Sequence, residues 1–276
     1  MSLQVSILIV SGALICEFID ASMGMLYGTI LSPVLIIAGF EPVVVVPAIL
    51  FSQALGGFTA SIFHHRLKNV NLAVKSTNPR VIIKKLSELG YIESFKRGTT
   101  KDFKVSMCVA GLGVISTVIA VLIAINISKS ALKTYIGILV VVMGAILLFG
   151  PELKFSWKKM LAVGILSAFN KGISGGGFGP VVTSGQLIAG RDGKSSIGAT
   201  TFAEAPIRIS GFLTFLIIKG ISNWNLVILL SAGALIGAPF GALLTSKFKS
   251  EKHLRSGLGL LTLALGIWIL IKTWVL

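Results

Sequence analysis

Five ionisable side chains lie inside apolar stretches of this chain: Glu17, Asp20, Lys171, Glu204 and Arg208. In a membrane segment a charge is costly, so such groups are functional candidates: ion relays, proton carriers or ligand contacts. Glu204 and Arg208 are four apart and therefore neighbours on one helical face. They form either a self-neutralising pair or an anion contact at Arg208, with Glu204 orienting it or carrying a proton. Glu17 stands one turn before Asp20, as a proton carrier or an interfacial residue. Gln53 and Asn170 are hydrogen-bonding candidates beside these charges.

Asp20 and Lys171 each fall in a glycine-broken apolar segment. The first reads Phe18-Ile-Asp-Ala-Ser-Met-Gly-Met-Leu-Tyr-Gly28, and the second Phe169-Asn-Lys-Gly-Ile-Ser-Gly-Gly-Gly-Phe-Gly179. Non-helical backbone at membrane depth is tolerated only where protein or a water-filled cavity satisfies it. A half-helix starting after such a break aims free N–H groups and the positive end of its dipole at mid-membrane, which suits an anion. Ser22, Gly24, Asn170, Lys171, Ser174, Gly175, Gly176, Gly177 and Arg208 are therefore the substrate-binding candidates. Glu17, Asp20, Gln53 and Glu204 are the coupling or gating candidates, with a proton or sodium as the coupled ion. Two breaks at matching places in two halves point to a transporter's binding site.

The elements that must position these residues are apolar. Hydrophobic residues make up 54% of the 276 and charged ones 13%, with mean hydropathy +0.92. A soluble domain carries about 25% charge, so a soluble fold is excluded. The net charge of +15 sits mainly in loops between apolar runs, a positive-inside pattern rather than a nucleic-acid surface. Cys16 and Cys108 lie in apolar segments and read as small buried hydrophobes. The start Met-Ser-Leu-Gln carries no charged n-region, so no cleavable signal is expected. The chain shows no Walker loop, Cys/His metal cluster or catalytic constellation, and His64, His65 and His253 stand at segment ends. No cofactor is expected, and the chain reads as a non-enzyme. A passive anion channel and a membrane-embedded enzyme are the rival readings.

Apolar segments fall at about 5–20, 29–39, 42–65, 105–125, 129–149, 159–172, 179–190, 196–219, 223–246 and 254–274. Segments 5–20 and 29–39, like 159–172 and 179–190, are short for a ~30 Å core and read as limbs of two broken units. An offset of 151 aligns Phe18 with Phe169, Gly28 with Gly179 and Gln53 with Glu204. An offset of 122 aligns Gly137 with Gly259 and Gly144 with Gly266. The chain thus divides into a first membrane repeat, 1–150, with an insertion at 66–104, and a second, 151–276.

If each broken unit returns to its own side, each repeat has three crossings and the repeats are inverted. Loop Lys and Arg then divide 19 against 4, whereas four crossings per repeat would give 15 against 8. The more asymmetric division predicts an all-α polytopic membrane protein of two inverted repeats. Each repeat holds a broken re-entrant helix pair plus three transmembrane helices. Both termini lie outside, and the 66–104 loop lies in the cytoplasm. Within that loop, Pro79 to Lys96 has helical apolar spacing and reads as a surface helix or a solvated connector.

The breaks, the glycine run before Pro180 and the stretch Gly233-Ala-Leu-Ile-Gly-Ala-Pro-Phe-Gly241 resemble the sulfite exporter family of the TauE/SafE type, also called toluene-sulfonate uptake permeases. Lys68-Asn-Val-Asn71 and Gly220-Ile-Ser-Asn-Trp224 fit the same pattern. The resemblance implies a multi-pass permease of the cytoplasmic (inner) membrane that moves a small anionic substrate, sulfite or an organosulfonate. The first break departs from the family's glycine run, carrying Met23-Gly24-Met25 instead.

Overall fold

A chain this apolar satisfies its backbone inside a bilayer only by closing hydrogen bonds within each segment, and helices follow. The computed structural model describes residues 2–24, 26–73, 88, 98–149, 157–176, 182, 193–247 and 252–275. Its described helices are α1 Leu3–Met23, α2 Tyr27–Ile37, α3 Pro42–Arg66, α4 Lys101–Ala124, α5 Lys129–Phe149, α6 Trp157–Ser174, α7 Gly193–Lys219, α8 Trp224–Lys247 and α9 Lys252–Trp274. Five of them, α1, α3, α4, α7 and α8, are long and apolar enough to cross a membrane. Large apolar side chains face outward along these helices, among them Leu8, Ile115, Ile119, Ile217, Ile228 and Phe240. Buried positions instead hold many polar and charged groups. The protein is an all-helical, multi-pass membrane protein.

Local sequence explains the helix ends. Ser2 caps α1 by accepting from Val5 N, and Thr100 caps α4 by accepting from Phe103 N. Pro42 opens α3 at a position where no N–H is needed. Helix α1 runs further than the 5–20 segment. At 21 residues it is about 31 Å long at ~1.5 Å per residue. Its polar residues do not end it, because Ser22 turns its hydroxyl onto Ile19 O and Asp20 finds partners across the bundle. The helix ends instead at Gly24, whose φ of 71° is the left-handed conformation that glycine adopts without penalty.

The described helices pack in the order α1, α8, α3, α7, α4, α6, with α5 and α9 paired alongside. Swapping α1 with α6, α3 with α7 and α4 with α8 reverses that order and keeps every neighbour. Helices α3 and α7 run antiparallel, and so do α5 and α9. Gly211 faces Leu50, while Gly198, near the opposite end of α7, faces His64 and Val70. In the other pair, Trp274 donates to Thr134, Gly137 meets Ile269 and Leu270, and Gly266 meets Val141. One end of the bundle gathers residues 66–73, 98–102 and 193–198. There Asp102 accepts from Asn71 N, Ser106 donates to Ala199 O, and Lys194 donates to Ser246 O. The other end holds the Lys129–Glu41 ion pair and a bond from Lys272 to Ile37 O.

Lipid removes most of the hydrophobic drive between helices, so close packing and internal hydrogen bonds hold them together. Gly233, Gly237 and Gly241 of α8 form a stripe against α1. A Cβ on Gly237 would lie 3.0 Å from Phe18 N and 3.2 Å from the Glu17 Cβ. Thr245 extends the seam by donating to Ser22 O at 2.9 Å, and buried His64 bonds Ala21 O at 2.9 Å. Gly237→Leu is therefore expected to push α1 off α8, at the ~1–3 kcal/mol typical of overpacking. A lowered unfolding temperature in detergent checks it. The surface-helix reading of 79–96 lies almost wholly outside the described residues.

Candidate functional site

The two breaks end in the same way. Gly24 N bonds Asp20 O at 2.6 Å and Gly175 N bonds Lys171 O at 2.8 Å, and both glycines have left-handed φ, 71° and 74°. The two breaks meet. A Cβ on Gly176 would lie 2.8 Å from Thr29 N and 2.9 Å from the Gly28 carbonyl carbon. Gly28 in turn has no space for a side chain against the Gly175 carbonyl, and Gly175 rests on Ile49 of α3. Ser174 secures the second break by accepting from Gly176 N at 3.1 Å while donating to Asn170 O.

Beside this contact lies a crevice lined by Gly28, Thr29, Ser32, Ile136, Leu139, Val140, Ser174 and Gly176, too narrow for a water molecule. Its polar wall comes from the first turns of α2 and the last turn of α6. Ser32 Oγ is buried with no hydrogen-bond partner among the described residues. Sequence reasoning missed Gly28, Thr29 and Ser32 as lining residues. The signal was there: Gly28 and Ser32 are four apart on the half-helix after the break, hence on one face.

Next to the breaks, four of the five ionisable groups form one buried chain. Arg208 Nη2 bonds Asp20 Oδ2 at 3.1 Å and Glu204 Oε2 at 2.5 Å, and Glu204 Oε1 lies 3.4 Å from Lys171 Nζ. Arg208 Nη1 donates to the Gln53 backbone carbonyl at 2.9 Å. The expected Glu204–Arg208 pair is thus present. Asp20 and Lys171 are joined through it, in the order Asp20, Arg208, Glu204, Lys171. Asp20 also accepts from Tyr27 N at 3.0 Å, the first N–H of α2. Lys171 sits in the last helical turn before the other break. The ion chain therefore braces both breaks from behind.

The remaining candidates are distributed unevenly. Asn170 accepts from the Tyr135 hydroxyl, and Gly176 and Ser174 line the crevice. Ser22 directs its hydroxyl to its own helix, and Gly24 is the helix cap, so neither joins the crevice lining. The Gln53 side-chain amide, both Glu17 carboxylate oxygens and Arg208 Nε are buried without hydrogen-bond partners among the described residues. Gly177 and the half-helix expected at 179–190 lie outside the described residues, as do all but Val182 of that stretch. Among the described residues no group of His, Cys, Asp and Glu is arranged to hold a metal ion.

An apolar exterior, a buried charge chain and two helix breaks in contact define a membrane transporter. The model of the family described as "Sulfite exporter TauE/SafE" matches residues 82–269, and the chain belongs to that family. It is also 25% identical over 254 residues to the "Probable membrane transporter protein YtnM" of Bacillus subtilis (strain 168), across 86% of this chain and 74% of that protein. No solved structure matches significantly.

Proposed function

We propose that this transporter carries a small sulfur-containing anion, sulfite or an organosulfonate, across the cytoplasmic membrane by ion-coupled alternating access. The observation that carries the reading is the contact of the two helix breaks at Gly28–Thr29 and Ser174–Gly176. Helix α2 starts there, and a helix start attracts anions through its N–H groups and dipole. Ser32 Oγ on the crevice wall, and Arg208 Nε and the Gln53 amide in the same protein interior, are buried without hydrogen-bond partners among the described residues. The closed crevice reads as the occluded stage of the cycle. The family's name supports sulfite as the substrate type.

The two halves, 1–150 and 151–276, are read as inverted repeats. Support comes from the antiparallel run of α3 against α7 and of α5 against α9, together with the helix neighbours that survive exchange of the halves. Rocking one set of helices against the other around a fixed site is the motion such repeats allow. The 66–104 side carries most of the loop Lys and Arg, which orients it to the cytoplasm and both termini to the outside.

Purified full-length protein in liposomes tests the proposal. Uptake of labelled sulfite should saturate, and unlabelled sulfite inside should accelerate it. Flux that neither saturates nor responds to internal substrate would make the protein a channel. Chemical turnover of the anion in detergent would make it an enzyme.

A further inference from the structure

We propose that the coupled ion is a proton and that the Glu17 carboxyl carries it. The inference rests on the carrier reading above and assigns the coupling that reading leaves open.

Glu17 is fully buried on α1, and neither carboxylate oxygen has a hydrogen-bond partner among the described residues. Its carboxyl packs against the backbone of α3, where a Cβ on Gly56 would lie 2.6 Å from Cδ and Oε1. Gly237 of α8 packs against the same side chain at its Cβ. An ionised carboxylate so placed would be uncompensated, and such a group neutralises instead. A bound cation would need several ligands around it, and among the described residues no group of His, Cys, Asp and Glu is arranged to hold one.

The surrounding charges make that proton matter to an anion. Facing Glu17 are Cys16 and Asp20 on its own helix, Tyr27 on α2, Lys171 on α6, and Glu204 and Arg208 on α7. From α3 and α8 the residues packed against it are Gly56 and Gly237, which add no charge. Asp20, Glu204, Lys171 and Arg208 neutralise one another in the ion chain. Protonated Glu17 leaves the cluster at zero, and ionised Glu17 leaves it at minus one beside the site meant for an anion. Binding of anion and proton then favour each other, and this linkage is reciprocal. On the side of higher proton concentration Glu17–COOH and the anion load together. On the other side the O–H bond breaks, the proton leaves to water, and the carboxylate electrons repel the anion out. Gly57, next to Gly56, packs against Arg208 Nη1. A small shift of α3 or α7 would bring Arg208 to the free carboxylate for the return step.

Two measurements test this, one of them without any substrate. Infrared difference spectra of membrane-reconstituted protein should show a protonated-carboxyl C=O band at neutral pH. The band should be missing in Glu17→Gln and kept in Asp20→Asn. Glu17→Gln should also keep the heat stability of the unchanged protein, because an amide of the same size replaces a carboxyl that is already neutral. The same spectrum in both proteins would overturn the assignment. In liposomes, Glu17→Gln should keep sulfite exchange within about threefold, since glutamine mimics the protonated state. It should lose accumulation driven by a pH gradient. Accumulation equal to that of the unchanged protein, or loss of exchange in a folded variant, would also overturn it. If the unchanged protein moves neither sulfite nor a sulfonate, the substrate reading fails, and the infrared arm still decides whether Glu17 holds the proton.

Discussion

Replacing Arg208 with glutamine is expected to cost the protein most of its stability. The guanidinium is fully buried and neutralises Asp20 and Glu204 together, while its other amino group holds the Gln53 carbonyl. Without it, two buried carboxylates share one cation, Lys171. Breaking a buried pair by removing one partner costs about 3–5 kcal/mol, against a total stability of about 5–15 kcal/mol for ordinary domains. Arg208→Gln should elute as aggregate or unfold at a much lower temperature in detergent. Adding Glu204→Gln should recover much of the loss, because Asp20 and Lys171 then remain as one charge of each sign. Arg208→Lys should rescue only weakly, since an ammonium cannot reproduce the planar fork that serves three acceptors at once. A single variant as stable as the unchanged protein would mean that the ion chain does not hold these helices together.

That chain marks how far the sequence could be read. The Glu204–Arg208 bond was legible because four-residue spacing on a helix guarantees proximity. The link from Arg208 to Asp20 was not, because it spans 188 residues and depends on which helices become neighbours. Composition and apolar periodicity gave the helices and their approximate ends. The apolar segment at 5–20 is shorter than α1, since the helix carries on through the polar Asp20 and Ser22 to Met23. The breaks were visible as glycine clusters, but which side chains face the crevice was not. Ser22 and Ser174 look equivalent in the sequence. In the fold one hydroxyl turns back to Ile19 O and the other holds Gly176. Glu17 was ambiguous for the same reason. A lone carboxyl in an apolar run reads alike whether it is paired or unpaired, and only the packing of Gly56 and Gly237 against it separates the two.

Gly176→Leu is expected to bring sulfite uptake down to the rate of protein-free liposomes while leaving a folded, monodisperse protein. At this position even a Cβ would meet Thr29 N at 2.8 Å, and the obstacle is backbone, which cannot swing aside. A leucine must therefore wedge the start of α2 away from the end of α6 and fill the crevice lined by Ser32 and Ser174. The fold should survive because the wedge falls between the two breaks. The α1–α8 seam, the α4–α6 contact and the ion chain use other residues. Gly111→Leu is the matched control: a Cβ there meets nothing within 4 Å and the site is exposed on the outer face of α4. It adds the same bulk to the same kind of protein and should transport at the unchanged rate. Normal uptake by Gly176→Leu would remove the binding site from the meeting of the breaks. Loss of uptake in both variants would trace the effect to added bulk in general. A loss confined to Gly176 ties transport to the place where the two broken backbones come within van der Waals contact at Gly28–Thr29 and Gly175–Gly176.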